Sequence, residues 1–251
     1  MTCVSFCGRC SVEFAANTQQ SGKIDPRNNE KAIEAYWRRV STLNKSGRPL
    51  KLYFTEYGYS TSPSGLGAVG SEERQADWLS RLVLIYQDLR LRGVPLEAPF
   101  WYDLKDDGQD ANKEQHRYGL ITFDLGRRKP AFDALKAVTH FFSDIGDLEP
   151  VDNVKATAGD YSDSVKIFTW RRKSDSALIV AFWRLDQVAE PPTDFNSTLQ
   201  ITPPVGTQVR RAAIYTADGR PFRSTSFTSD NGTISIPATV SARASWIVLN
   251  Q

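Results

Sequence analysis

The feature that most constrains this chain is a change of hydrophobic period near residue 146. Before it, apolar residues recur at helical spacing in stretches separated by short apolar runs; after it, they alternate with polar residues. Ile33, Tyr36, Trp37, Val40 and Leu43 predict a helix from Glu30, stopped by Lys45-Ser46-Gly47-Arg48-Pro49. Ala76, Leu79, Leu82, Val83, Tyr86 and Leu89 predict a second helix over 72–92, ended by Gly93. Ser71 is its expected cap, with Arg74 where a full capping box would carry Glu or Gln. A third helix runs from Pro130, a residue suited to a first helical turn, to Phe142. Between the helices, residues 50–55 read as a short strand buried on both faces, 96–102 as a second short strand, and 118–124 as an extended segment. Helices alternating with short strands imply parallel strands joined by right-handed crossovers.

From about residue 150 the pattern is that of a sandwich. Val165–Trp170, Ala177–Trp183, Ser197–Ile201, Ala212–Tyr215, Thr233–Ile236 and Ala244–Leu249 are predicted strands. Asp218-Gly219 and Asn231-Gly232 are hairpin signals. The expected fold is therefore α/β over residues 1–148, followed by an all-β sandwich over 149–251, with the boundary at Gly146-Asp147-Leu148-Glu149-Pro150.

Composition removes several classes of function. Thirty-one basic against 29 acidic residues leave a net charge of +2, which favours neither a nucleic-acid nor a membrane partner. No apolar run reaches the length of a membrane span. No secretory signal is evident at the N-terminus, so a cytoplasmic location is the default reading. The three cysteines, Cys3, Cys7 and Cys10, are too few and too clustered for a disulfide framework. Their spacing matches an iron–sulfur motif, but Arg9 stands where an aromatic normally precedes the third cysteine, and no zinc set can be completed. Neither a cofactor nor a metal is expected.

The chemistry concentrates at the ends of the two predicted parallel strands, where βα loops carry function. The first ends in Thr55-Glu56-Tyr57-Gly58, a carboxylate among aromatics. The second ends in Trp101-Tyr102-Asp103, followed by Asp106-Asp107-Gly108. Carboxylates beside indole and phenol faces suit a sugar, whose C–H face stacks on a ring while its hydroxyls bond to acids.

These stretches resemble the last two strands of clan A retaining glycoside hydrolases, most closely family 39 and related cellulase and xylosidase barrels. Glu73-Arg74-Gln75-Ala76, His116-Arg117-Tyr118-Gly119-Leu120 and Lys129-Pro130-Ala131-Phe132-Asp133-Ala134-Leu135 extend the likeness. The resemblance implies that residues 1–148 are the last strands and helices of a (β/α)8 barrel. It makes Glu56 the nucleophile and Trp101 the floor of a sugar subsite. Tyr57, Tyr102, Asp103 and His116 would join Trp101 in binding substrate. Members of such families are often secreted, which opposes the default location.

The same resemblance exposes a gap. A retaining mechanism needs a second carboxyl as general acid, which in the family follows an Asn on an earlier strand. Asn29-Glu30 starts a helix and follows no strand, so it does not qualify. Only 55 residues precede Glu56, too few for the six βα units expected before that strand. Residues 2–6 are a candidate remnant of one strand. The expectation is a truncated homologue that acts on β-linked saccharide only when completed by a missing segment or another copy, and that is inactive alone. The alternative is a non-catalytic module in which the sandwich binds carbohydrate or braces the barrel. Trp170, Trp183 and Trp246 would be its binding rings, although their apolar neighbours point to the core.

Overall fold

The computed structural model describes residues 26–250 apart from Thr55, Leu66, Ala98, Asp152 and residues 186–193. The cysteine cluster and the candidate remnant strand at 2–6 lie outside the described residues. The chain forms two compact units, one reaching Asp133 and the other beginning at Ala134.

In the first unit, helix α1 (Pro26–Leu43) starts a turn earlier than predicted and stops where expected. Helix α2 (Glu72–Leu91) is capped by Ser71, whose Oγ accepts the Arg74 N–H at 3.1 Å. Glu72 and Glu73 in its first turn complement the helix dipole. Gly93, at φ +89°, lets the chain turn away. The buried surface of α2 is wider than the predicted stripe, because Leu84 and Ile85 are buried as well as Leu79, Leu82 and Leu89. Two neighbours account for this: α1 packs on α2, and Tyr86 meets Phe54 of the first extended segment edge-on at 5.2 Å.

The two predicted strands of this unit are adjacent and parallel, bridged at Leu52–Leu96 and Tyr57–Trp101. Leu52 N–H donates to the Pro95 carbonyl at 2.9 Å, and Glu97 N–H returns to the Leu52 carbonyl at 2.9 Å. Phe100 N–H then reaches the Phe54 carbonyl, and Tyr57 N–H the Phe100 carbonyl. With α2 between them, they make the expected β-α-β unit. Burial on both faces of the first strand does not hold throughout: Leu52 and Phe54 are buried but Lys51 is exposed, as are Glu56 just beyond it and Phe100 of the second strand. The expected extended segment 118–124 is shorter than predicted. Ile121 bridges Lys105 in parallel, and the chain turns at Thr122, whose hydroxyl bonds to Asp124 while its N–H reaches the Arg127 carbonyl.

Helix α3 (Pro130–Ile145) carries Ala131, Ala134, Val138, Phe141 and Ile145 as one buried stripe. Among the described residues, the second unit then adds ten strands: β1 (Leu148–Pro150), β2 (Lys155–Thr157), β3 (Val165–Arg172), β4 (Leu178–Arg184), β5 (Phe195–Thr202), β6 (Arg211–Thr216), β7 (Arg223–Thr225), β8 (Thr228–Asp230), β9 (Thr233–Val240) and β10 (Ser245–Asn250). Their pairings are antiparallel, in a six-stranded sheet of order β1-β3-β4-β10-β6-β7 and a four-stranded sheet of order β2-β5-β9-β8. Both hairpin signals are realised. β6 pairs with β7 across Asp218-Gly219. Asn231 and Gly232, at φ +48° and +78°, form the two-residue turn between β8 and β9.

One apolar core joins the two sheets, with Leu178, Val180 and Phe182 of β4 and Ile247 and Leu249 of β10 meeting Leu199, Ile201, Ile234 and Ile236. Each such side chain contributes about 1.5–3 kcal/mol when fully buried. The alternate residues of the six-stranded sheet, Phe168, Trp170, Trp183 and Trp246, are buried too. Phe141 of α3 lies 4.6 Å from the Trp246 ring, and Phe142 lies 6.0 Å from Trp170. All three tryptophans of this unit are thus structural, with no face open to a glycan.

Candidate active site

The parallel register brings the two loaded strand ends together. Tyr57 pairs with Trp101, and Tyr102 N–H donates to the Tyr57 carbonyl at 2.8 Å. Glu56, exposed, therefore stands one residue from the bridge to the Trp101–Tyr102 segment. Gly58 explains itself in this arrangement. A Cβ there would overlap the Tyr102 carbonyl oxygen and crowd the Tyr118 ring, so only glycine lets the two strand ends close up. The Tyr102–Asp103 peptide bond is cis.

The predicted binding residues fall into distinct places. Trp101 is half-buried, its ring 6.0 Å from Tyr59, which meets Trp78 of α2 at 4.8 Å. Tyr57 is 5% exposed; its ring packs edge-on to Tyr59 and Tyr86, and its hydroxyl bonds to that of Tyr59. Its ring is committed to the core. Tyr102 is half-buried and donates its hydroxyl to Asp107 Oδ2 at 3.0 Å. Burial, then that hydrogen bond and the charges of Asp107, Asp103 and Glu56, push its phenol up to about 12. Asp103, half-buried, accepts from the Leu104 N–H. His116 is half-buried, with its ring against Gly108, where a Cβ would collide with it.

The acidic loop is not uniformly solvated. Asp107 is exposed, but Asp106 is fully buried, so it is not one of the acids open to a sugar hydroxyl. Its Oδ1 accepts from Lys129 Nζ at 2.5 Å and from the Gly119 N–H at 2.8 Å. Arg117 approaches Oδ2 at 3.5 Å and Glu72 at 4.0 Å, and Arg127 grips Glu72 with two bonds at 2.7 and 2.8 Å. Burial pushes the Lys129 ammonium down against the pull of Asp106, whereas Arg127 holds Glu72 below the usual carboxylate range. The Gln75 amide, also fully buried, donates to the carbonyls of Tyr59 at 2.7 Å and Tyr118 at 3.0 Å, tying the first strand to the segment after the loop.

Sequence reasoning quoted Gln75 and Lys129 in motifs without giving them roles. For Lys129 a signal existed. A cation just before Pro130 faces the positive end of a helix dipole, which is unfavourable unless a buried acid compensates it. Glu30, set aside as a general acid, lies in α1, buried and 3.7 Å from Arg92. Among the described residues no cluster of three His, Cys, Asp or Glu side chains could hold a metal, and no helix is long and apolar enough to cross a membrane. Chemically, the site offers an unblocked carboxylate at a strand end, an indole and a phenol beside it, and a second exposed acid held by the phenol.

No protein-family model and no curated protein matches the sequence. Solved structures do. A family 39 glycoside hydrolase from the gut symbiont Bacteroides cellulosilyticus WH2 superposes with a TM-score of 0.55 at 18% identity, over 85% of this chain and 38% of its own. A family 51 arabinofuranosidase from Xanthomonas axonopodis pv. citri gives 0.51 at 13% identity, over 89% of this chain and 46% of its own. The chain therefore spans less than half the length of these structures. The chain shares its fold with part of these two glycoside hydrolases, and family 39 is the family the strand-end motifs resemble.

Proposed function

We propose that the chain carries the nucleophile half of a retaining glycoside hydrolase site for β-linked saccharides. Glu56 attacks the anomeric carbon, the aglycone leaves, and water later hydrolyses the glycosyl ester with net retention. Trp101 offers its ring to the sugar face, while Tyr102, Asp103 and His116 contact hydroxyls. The observation that carries this reading is the parallel register, which sets an exposed Glu56 beside the Trp101–Tyr102 strand end. The other half of the chemistry is a carboxyl about 5–5.5 Å away across the scissile bond. Glu30, the acid in the Asn-Glu pair, is committed to Arg92. The chain alone is thus expected to form the glycosyl ester only with a leaving group that needs no protonation, and to need further barrel strands, from additional chain or another copy, for turnover.

The test uses 2,4-dinitrophenyl 2-deoxy-2-fluoro-β-glycosides of several pentoses and hexoses. Mass spectrometry should find one sugar esterified to the Glu56 peptide, with no adduct in Glu56→Gln and no turnover of unactivated aryl glycosides. Absence of any adduct, or an adduct that survives Glu56→Gln, would sink the nucleophile assignment. Turnover of unactivated glycosides that Glu56→Gln abolishes would sink the claim that the acid half is missing. A role for the sandwich in binding glycan through Trp170, Trp183 and Trp246 is disfavoured by the burial of all three.

A further inference from the structure

One carboxylate does work that the proposed chemistry does not call on. Glu114 begins a short 3-10 turn (Glu114–Arg117) in the loop after the Trp101 strand. Its Oε1 accepts two hydrogen bonds at 2.6 Å, one from the Tyr118 hydroxyl and one from the Gly67 N–H. Its carbonyl accepts from Ser60 Oγ at 2.8 Å, and the Arg117 carbonyl at the other end of the turn accepts from the Thr61 N–H at 3.0 Å. Ser60, Thr61 and Gly67 all belong to the loop that follows Glu56. The turn therefore fastens the loop after one strand to the loop after the other. Gly65, at φ +128°, lies against the Glu114 side chain so closely that a Cβ would overlap the carboxylate.

The ring that Glu114 holds sits at the junction of the strand ends. Tyr118 is buried, and a Cβ at Gly58 would meet its Cδ1 at 3.2 Å. Its other neighbour is Tyr102, whose ring meets it edge-on at 5.5 Å. Tyr118 is thus a wedge between the segment just after Glu56 and the phenol beside Glu56. Its hydroxyl, bonded to Glu114, fixes how far the wedge can turn. Burial, and then the bond to Glu114, push the Tyr118 phenol well above its ordinary range, so the neutral donor persists through the working pH range.

We infer that Glu114 and Tyr118 form a positioning pair, in which the carboxylate holds the phenol and the phenol's ring sets the placement of Glu56 against Tyr102. Neither touches the reacting atoms. The inference rests on the nucleophile reading above, and its test separates the two.

The full chain, Glu114→Ala and Glu114→Gln are each labelled with the fluoroglycoside that modifies the wild type, and both rate and final stoichiometry are followed. Misplacement of a nucleophile by a fraction of an ångström lowers the rate by about tenfold or more. Glu114→Ala should therefore label about tenfold more slowly, to the same final stoichiometry. Glu114→Gln keeps an oxygen acceptor for Tyr118 and Gly67, so it should recover most of the rate. Its loss of charge should also bring one phenol lower in a spectrophotometric titration. A wild-type rate in Glu114→Ala overturns the inference, as does a lower stoichiometry at an unchanged rate, which is the mark of partial unfolding. If the wild type is not labelled at all, the nucleophile reading fails and carries this inference down with it, whatever the titration shows.

Discussion

The two units solve the same problem of cohesion by different means. In the second unit, antiparallel ladders run over whole strands, and both faces of β4 and most of β10 are buried. Its stability is spread over many apolar side chains. In the first unit the two parallel segments are shorter and are joined by backbone hydrogen bonds running from Leu52 to Tyr102. Buried polar side chains reinforce them: the Gln75 amide, the Asp106–Lys129 pair and the Glu114 turn. Distributed apolar burial tolerates the loss of one methylene, whereas a polar tie that loses one partner leaves the other desolvated. The unit carrying the candidate site is the one that adds a few buried polar ties to its apolar core.

This contrast can be broken experimentally. The largest effect is expected at the buried pair. Lys129→Met takes from the buried Asp106 carboxylate its nearest cation, leaving it the Gly119 N–H and Arg117 at 3.5 Å, and should cost about 3–5 kcal/mol in urea unfolding. Asp106→Leu combined with Lys129→Met, which strands no charge, should cost clearly less. Equal losses in the single and double variants would mean that the pair is not the tie described.

Alkali should come next. Five phenols of the first unit, Tyr36, Tyr57, Tyr86, Tyr102 and Tyr118, have folded-state values pushed up, in each case by burial first. A raised value means that the folded state favours the neutral phenol. For Tyr102 the resulting stability is complete below the ordinary value of 10.0 and is lost as pH rises through about 12. Tyr215 of the second unit shifts in the same direction. With five such groups against one among the described residues, helical circular dichroism should fall in this window before the fluorescence of the buried tryptophans changes. Simultaneous loss would erase the distinction between the units.

Smaller effects complete the series. Ile247→Val in the sandwich core should cost about 0.5–1.5 kcal/mol. A cost matching that of Lys129→Met would show that the second unit is as brittle as the first. Lys51→Gln, which removes the exposed 2.7 Å ion pair with Glu97, should leave the urea midpoint where it was. A measurable shift would show that polar ties need not be buried to count here.

Local patterns were legible in the sequence because their causes are local. The helical stripes of α2 and α3, the Ser71 cap, the Asn231-Gly232 turn and the central strands of the sandwich follow from side-chain spacing and backbone preference. Glu56 and Trp101 could be singled out because a carboxylate and an indole at strand ends are conspicuous in an apolar run. The short strands β1, β2, β7 and β8 were missed, since three residues show no period.

Tertiary structure decided the rest. That Tyr57 turns into the core while Glu56 stays exposed depends on which neighbours cover each face, which no spacing within the strand encodes. That Asp106 is an internal brace and Asp107 a surface acid depends on Lys129, 23 residues further on, reaching one and not the other. Glu114 and Gln75 look like ordinary polar residues in the sequence. They acquire roles only when folding brings Tyr118 and Tyr59 within hydrogen-bond reach, because a hydrogen bond is short and directional and its partner can lie anywhere along the chain.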